Sequence, residues 1–351
     1  MKKLATALIM LMVLMSACTT PMQQSELFLV LPEYCPTPDG MAIASNGDLI
    51  LACPNFANQT YPGCVMRISK DKQISKWFDV PVLPETGLAC PMGIAFGENG
   101  DLFICDNQGW TGSEEGKNQG RLLRLTFDEN NRIKDTIVVA YQMEHPNGVR
   151  VRNGKIFVTQ SMLTAHASES ERRMLSGVYC FDINDRDIKL SNCPHDPNLL
   201  VAFFTQNVDV AYGADGLDFD AEGNLYVGNF GDGAIHKLTF DADGNVISND
   251  VWAQDLSQLR TTDGIYFDSK GNLWVADFSD NAVAVVSPNG KIRRVAQNPD
   301  SDGSHGELDQ PGEPIEWNGM IVVTCFDLVT GPDKVNTGHQ APHTLVKLKP
   351  L

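Results

Sequence analysis

The chain has 351 residues, 42% hydrophobic and 20% charged, with 30 Gly and 19 Pro, the balance of a globular protein that buries a core and turns often. Its formal net charge of −17 excludes binding to nucleic acid, because no Lys/Arg cluster offers a local exception to the repulsion of a phosphate backbone. An acidic surface instead suits cations or neutral small molecules.

Residues 1–17 read as a signal peptide. Lys2 and Lys3 make a positive n-region, Leu4 to Leu14 an apolar h-region, and Met15-Ser16-Ala17 a small-residue cleavage site. Cys18 follows at once. Its position resembles the lipobox of bacterial lipoproteins, where the Cys becomes the lipidated N-terminus, although Met15 replaces the commoner Leu. Thr19 rather than Asp resembles the outer-membrane sorting class, which implies an extracytoplasmic protein, facing the periplasm if the source is Gram-negative. Its membrane contact is then the anchor alone. An ordinary cleaved signal beside an incidental Cys stays open. Residues 18–27 are expected to be a polar tether, and residues 28–351 the folded body.

From Phe28 to Leu31 a weak alternation leads into the first of several similar units. The unit is clearest at Gly213-Ala-Asp215-Gly216-Leu-Asp-Phe-Asp-Ala-Glu-Gly223-Asn-Leu-Tyr-Val-Gly-Asn229-Phe230, with Leu217 and Phe219 on one strand face and Leu225 and Val227 repeating the pattern after the turn. Thr262-Asp263-Gly264 through Gly271-Asn272 to Asp277-Phe278 repeats it. Earlier copies start at Pro38-Asp39-Gly40, at Pro91-Met92-Gly93 and at Pro146-Asn147-Gly148. A degenerate sixth starts near Gly312-Glu313 and turns at Asn318-Gly319. Two excursions interrupt the pattern, Gly109 to Gly120 and Thr164 to Arg173, and loops of that length often carry function.

The unit length is roughly the 40–50 residues of propeller-type repeats once inserts are allowed for. Strands in every unit without intervening helices predict an all-β fold, a six-bladed β-propeller, in which the Phe28–Leu31 strand can pair with the last blade and close the ring. Nine cysteines fit an exported protein; with Cys18 acylated, Cys53 with Cys64 and Cys180 with Cys193 are the best local disulfide pairs, each flanking a short turn-rich loop. A zinc site at the cysteines is the weaker alternative, since no tight Cys-x-x-Cys is present.

In a propeller the innermost strands converge on the axis. Their starts bring together Asp39, Met92, Asn147, Asp215, Asp263 and, placed to within one position in the degenerate unit, Glu313. Carboxylate and amide oxygens in such number suit a hard cation, Ca²⁺ before Mg²⁺ because it tolerates irregular geometry; Zn²⁺ and Mn²⁺ are further alternatives. Asp-Gly and Asn-Gly also form turns without any ligand, so the pattern has a purely structural reading. The polar and aromatic groups ending the second strands, and residues near them, are candidates for a substrate pocket on one rim: Asn107, Trp110, His145, Gln160, Ser161, Asn229, Phe230, Asp277 and Phe278. Phe230 and Phe278 can equally pack between blades. His145 adjoins Asn147 and can shuttle protons or simply pack at the strand end.

Over roughly residues 28–348 the pattern resembles the senescence marker protein/gluconolactonase family of six-bladed propellers, which includes regucalcin, bacterial gluconolactonases and a more distant diisopropyl-fluorophosphatase. Pro146-Asn147-Gly148 looks like that family's metal-binding Asn-Gly, and Ala214-Asp215-Gly216-Leu-Asp218-Phe its Asp-Gly motif. The resemblance implies that Asp215 both ligates the metal and serves as general base, with Asp263 a second candidate. Two departures stand out: Asp39 replaces the usual Glu, and Met92 stands where a further Asn is common. The resemblance therefore implies a metal-dependent hydrolase of a lactone or related ester, acting on a small molecule. No Gly-x-Ser-x-Gly supports a serine hydrolase. The alternative is a non-catalytic, NHL-like propeller that binds a ligand or protein partner at the envelope.

Overall fold

Residues 21–166 and 173–351 are described by the computed structural model. The signal peptide, Cys18 and part of the Thr164–Arg173 excursion lie outside them. Each unit opens with the expected hairpin. In the fourth, Leu217 faces Val227 and Phe219 faces Leu225 across the ladder, and Asn224 donates its amide to Asp220 at 2.7 Å to tie the turn. Leu217, Leu225 and Val227 are buried, as their alternation requires.

Six sheets result, the blades of a β-propeller. Their inner strands are Met41–Ile43, Pro91–Phe96, Pro146–Arg152, Ala214–Phe219, Ile265–Phe267 and Pro311–Trp317. These six touch one another in sequence order around a closed ring. Blades I, II, IV and V take four strands from consecutive chain; in blade III the chain leaves between the third strand, Met174–Asp182, and the fourth, Leu199–Thr205, so that Ile188–Lys189 joins blade II in parallel as a fifth. Blade VI takes its outer strand from the other end of the chain: Glu26–Val30 pairs antiparallel with Thr344–Leu348. The ring is closed as expected, and antiparallel pairing of the two termini leaves no unpaired gap between first and last blades.

The expected start of the folded body at residue 28 is too late. Gln23 bridges Ala296, exchanges hydrogen bonds with Lys349, and is followed by a strand beginning at Glu26. Backbone groups that find partners on the sheet dock there, so the body begins before Phe28.

Among the described residues there is no α-helix, only 3₁₀ turns at Thr164–His166, Phe230–Asp232 and Phe278–Asp280. The core lies between blades: Ala52 and Val65 of blade I pack with Leu102, Ile104 and Leu123 of blade II. Neither expected disulfide is formed, and the eight described cysteines are free. Cys53 and Cys64 do face each other across a ladder, but Cys35 approaches as a third thiol.

Candidate functional site at the propeller axis

The register of the hairpins fixes which residue of each blade reaches the axis. Pro91, Pro146, Ala214 and Pro311 each pair with the last residue of the second strand, namely Asp106, Gln160, Asn229 and Cys325. The next residues, Met92, Asn147, Asp215 and Gly312, are therefore equivalent. After them come Gly93, Gly148, Gly216 and Glu313.

Packing between inner strands explains the glycines. A Cβ on Gly216 would meet the carbonyl oxygen of Asp263 at 2.4 Å, and one on Gly93 would meet that of Asn147 at 2.4 Å. Gly271, in the hairpin turn, is different: its φ is +79° and nothing lies within 4 Å of a Cβ there. The Asp-Gly and Asn-Gly pairs at the strand starts are thus not turn formers. Their glycines let one blade's backbone close on the next, and their Asp and Asn project at the axis.

Four of the expected ligands converge as read. Asp39, Asn147, Asp215 and Asp263 line one cavity of ≈ 260 Å³, with Met92 among them. Glu313 does not join them. The sixth axial position belongs to Gly312, so the expected ligand is displaced by one residue, within the slack that the degenerate unit allowed. One Glu313 oxygen accepts the Met41 N–H at 2.6 Å and the other pairs with Arg150 at 2.9 Å. Arg150 also pairs with Asp218 at 3.2 Å and donates to the Ile265 carbonyl at 3.3 Å. Arg150 and Asp218 lie three residues down their strands from Asn147 and Asp215, about 10 Å along a strand. This ion-pair network ties blades III, IV, V and VI together across the channel.

The axial carboxylates have no such partner. Among the described residues no Lys or Arg pairs with Asp39, Asp215 or Asp263, and no side chain donates to their carboxyl oxygens. Burial, with Glu313 adding negative charge, pushes the Asp39 carboxyl up to about 8. Burial and the neighbouring carboxylates push Asp215 and Asp263 well above the usual carboxylate range. Such a group relaxes only by taking up protons or a cation. The three do not bring one oxygen each to within 4.8 Å of one another. A cation would thus be held by Asn147 with part of this set, a donor composition of oxygens alone that fits Ca²⁺ and tolerates uneven spacing.

The walls are aromatic. Trp110, Phe230 and Phe278 line the cavity as expected, joined by Tyr212 and Phe326, with Val210, Val329 and Lys334. Phe230, Phe278 and Phe326 stand at the same place, directly after the second strand, and their rings follow one another at 5.8 Å between centroids. Trp110, from the Gly109–Gly120 excursion, stacks on Phe56 at 4.2 Å. Phe326 was detectable from the repeat, since Cys325-Phe326 matches Asp277-Phe278. Tyr212, Val329 and Lys334 come from connections without periodicity and carry no sequence signal.

The other expected pocket residues serve the scaffold. Asp277 accepts the backbone N–H groups of Arg260 and Thr261 at 2.9 Å each and pairs with Arg294 at 2.8 Å. Gln160 accepts the Glu144 N–H, and Asn229 accepts the Thr205 hydroxyl. Asp106, at the equivalent place, accepts the Cys90 N–H at 2.6 Å. In blades II to V these strand-end side chains pin the segment that enters the blade, which is why a polar residue recurs there. Asn107 is fully buried, off the cavity wall, with both amide atoms unpartnered, and the Ser161 hydroxyl is likewise buried without a partner. His145 stands behind the wall, its Nδ1 3.4 Å from the Tyr212 hydroxyl; burial lowers its pKa to about 4, so the imidazole is neutral near pH 7.

Residues 231–302 match the family model described as SMP-30/Gluconolactonase/LRE-like region, which bears out the resemblance read from the sequence. That stretch includes Asp263. No curated protein matches the chain. Among solved structures, the fold is similar to a gluconolactonase from Xanthomonas campestris at 15% identity, with 94% of this chain and 91% of that one covered and a TM-score of 0.57. A calcium-binding protein, regucalcin, from Agrobacterium tumefaciens strain C58 is similar at 12% identity, with 93% and 94% covered and a TM-score of 0.58. A streptogramin B lyase is also similar, at 13% identity, 92% and 96% covered and a TM-score of 0.53. Likeness at these identities shows the propeller fold alone, and similarity to both a gluconolactonase and a lyase does not fix the reaction.

Proposed function

We propose that the axial cavity hydrolyses a lactone or related carboxylic ester with a bound divalent cation, Ca²⁺ foremost. The observation that carries this reading is the group of three carboxylates without ion-pair partners, beside Asn147 on one cavity. Asn147 and Asp215, with Asp39 or Asp263, would hold the cation. When bound, it supplies a Lewis acid for the carbonyl oxygen and offsets the negative charge that develops there. Asp215 is the general base, receiving a proton from the attacking water, and Asp263 is its alternate. Tyr212, Phe230, Phe278 and Trp110 orient the substrate and exclude bulk water. These walls favour a compact, flat and apolar ester over a polyhydroxylated lactone. The cavity lies just under the roughly 300–1,000 Å³ of common ligand pockets, which also limits substrate size.

A second reading, a propeller that binds without catalysis, is favoured by Met92 and Gly312, which leave two of the axial positions without an oxygen ligand. In either case the proposed lipid anchor at Cys18 would hold the protein at the envelope, and Cys18→Ser should move it from the membrane fraction to the soluble one.

The test is a calorimetric Ca²⁺ titration of chelator-stripped protein beside Asp215→Asn, followed by hydrolysis of dihydrocoumarin, phenyl acetate and glucono-lactone with and without chelator. Binding lost in the variant, with chelator-sensitive hydrolysis, supports the hydrolase. Cation binding without turnover of any of the three compounds favours the binding module. No binding of Ca²⁺, Zn²⁺, Mn²⁺ or Mg²⁺ overturns the metal site.

A further inference from the structure

Away from the axis, blade I contains a second donor set of opposite character. Cys53 ends the strand Leu49–Cys53, Cys64 opens the strand Cys64–Ile68, and the two are direct cross-strand partners. Cys35 comes from the segment between the outermost strand of blade VI and the first strand of blade I. The three sulfurs all lie within 4.8 Å of one another, and the residues are 0%, 0% and 1% exposed. The Met66 thioether sits 3.9 Å from the Cys64 sulfur, two residues along the same strand face. Phe28, Leu31, Leu51 and Leu345 close the surroundings.

We propose that Cys35, Cys53 and Cys64 form a closed three-sulfur site for a thiophilic d¹⁰ cation, Cu(I) or Zn²⁺, with the Met66 sulfur beside it. Metal–thiolate bonds of about 2.3 Å place ligand sulfurs about 4 Å apart, whereas a disulfide requires about 2.05 Å. Three sulfurs within 4.8 Å of one another, none joined in a disulfide, are compatible with the first spacing. Buried cysteines ordinarily pack singly as small hydrophobes, and three converging sulfurs exceed what packing requires. A donor set of sulfur alone excludes Ca²⁺ and Mg²⁺, so this site does not compete with the axial carboxylates for the same ion. Three sulfurs and an adjacent thioether suit Cu(I); Zn²⁺ would need a fourth ligand. With the sulfurs shut from solvent, the ion enters as blade I folds, and it would pin the first blade to the segment that leads from the ring closure.

The experiment uses reduced full-length protein without oxygen. Cu(I) is titrated against a chromophoric chelator, and Zn²⁺ in a separate arm. One tightly held equivalent is expected, lost in Cys53→Ser and kept in Cys193→Ser, with X-ray absorption of the loaded wild type showing three sulfur neighbours. The arm that binds identifies the ion. Because Cys53→Ser can fail to fold, the absorption measurement on wild type stands without it. Fewer than three sulfur neighbours, an equivalent retained by folded Cys53→Ser, or no bound ion in either arm would overturn the site. So would a disulfide between two of these cysteines in protein isolated without reductant.

Discussion

Blades IV and VI share their hairpin register but not their chemistry. Blade IV presents Asp215 to the axis and follows it with Gly216, whose missing Cβ admits the backbone of blade V. Blade VI presents Gly312 and follows it with Glu313, whose side chain occupies the position of that glycine and reaches Arg150 instead. A one-residue exchange of acid and glycine converts a carboxylate without a partner into a paired one. The lesson is that net charge at the axis says little until each carboxylate's partner is known: Glu313 is paired with Arg150, and Asp215 has no such partner.

The largest effect should come from the unpaired acid. Asp215→Asn keeps the size of the side chain and removes the base, so hydrolysis should fall on the order of 10²–10⁴-fold while the melting temperature holds or rises. Wild-type turnover in that variant would show that the contrast between the blades has no catalytic meaning. Glu313→Gln should do the reverse. It leaves Arg150 with Asp218 alone, and breaking a buried pair costs about 3–5 kcal/mol where no substitute partner remains. Denaturant unfolding should show a loss of up to that size, with Ca²⁺ affinity changed far less than in Asp215→Asn.

This contrast also marks what the sequence made legible. The alternating hairpins, their Gly-Asn and Asn-Gly turns and the strand at the N-terminus determined the six blades and the ring closure, because period-two burial and turn chemistry are local. Asp39, Asn147, Asp215 and Asp263 were legible because repetition aligns them. Glu313 misled because Pro311-Gly312-Glu313 reverses the acid–glycine order, and only the strand pairing of Pro311 with Cys325 reveals it. Asp277, Asn229 and Gln160 look like pocket residues by position, yet their partners, such as the Arg260 and Glu144 backbones, lie on the connecting segments ahead of the inner strands. Cys35 meeting Cys53 and Cys64 was invisible for the same reason: the convergence belongs to ring closure, not to spacing.

The glycine half of the contrast predicts a smaller loss. Gly216→Ala forces a Cβ against the Asp263 carbonyl, where overpacking typically costs about 1–3 kcal/mol. Gly271→Ala strains only its own φ, roughly 1–2 kcal/mol. If calcium weakens in Gly216→Ala but not in Gly271→Ala, when both are compared below their melting temperatures, the blade contact positions the ligands; equal affinities would confine the glycine to stability.

The subtlest effect is on pH. An Asp whose folded pKa is raised holds its proton in the folded state after the unfolded chain has released it, so stability without cation falls as pH rises. For Asp39 this window runs from its unfolded value, about 4, to about 8 when folded; Asp215 and Asp263 shift in the same direction. Below the window both states are protonated and the penalty vanishes. Chelator-stripped protein should therefore melt several degrees lower at pH 8 than at pH 5. Saturating Ca²⁺ should narrow that gap, because the ion replaces the protons and its stabilisation is largest where the carboxylates are charged. In Asp215→Asn the gap without cation should shrink, since one of the mutually repelling charges is gone. A melting temperature independent of pH in the stripped wild type would mean that these carboxylates are already compensated, and the distinction drawn between blades IV and VI would fail at its electrostatic root.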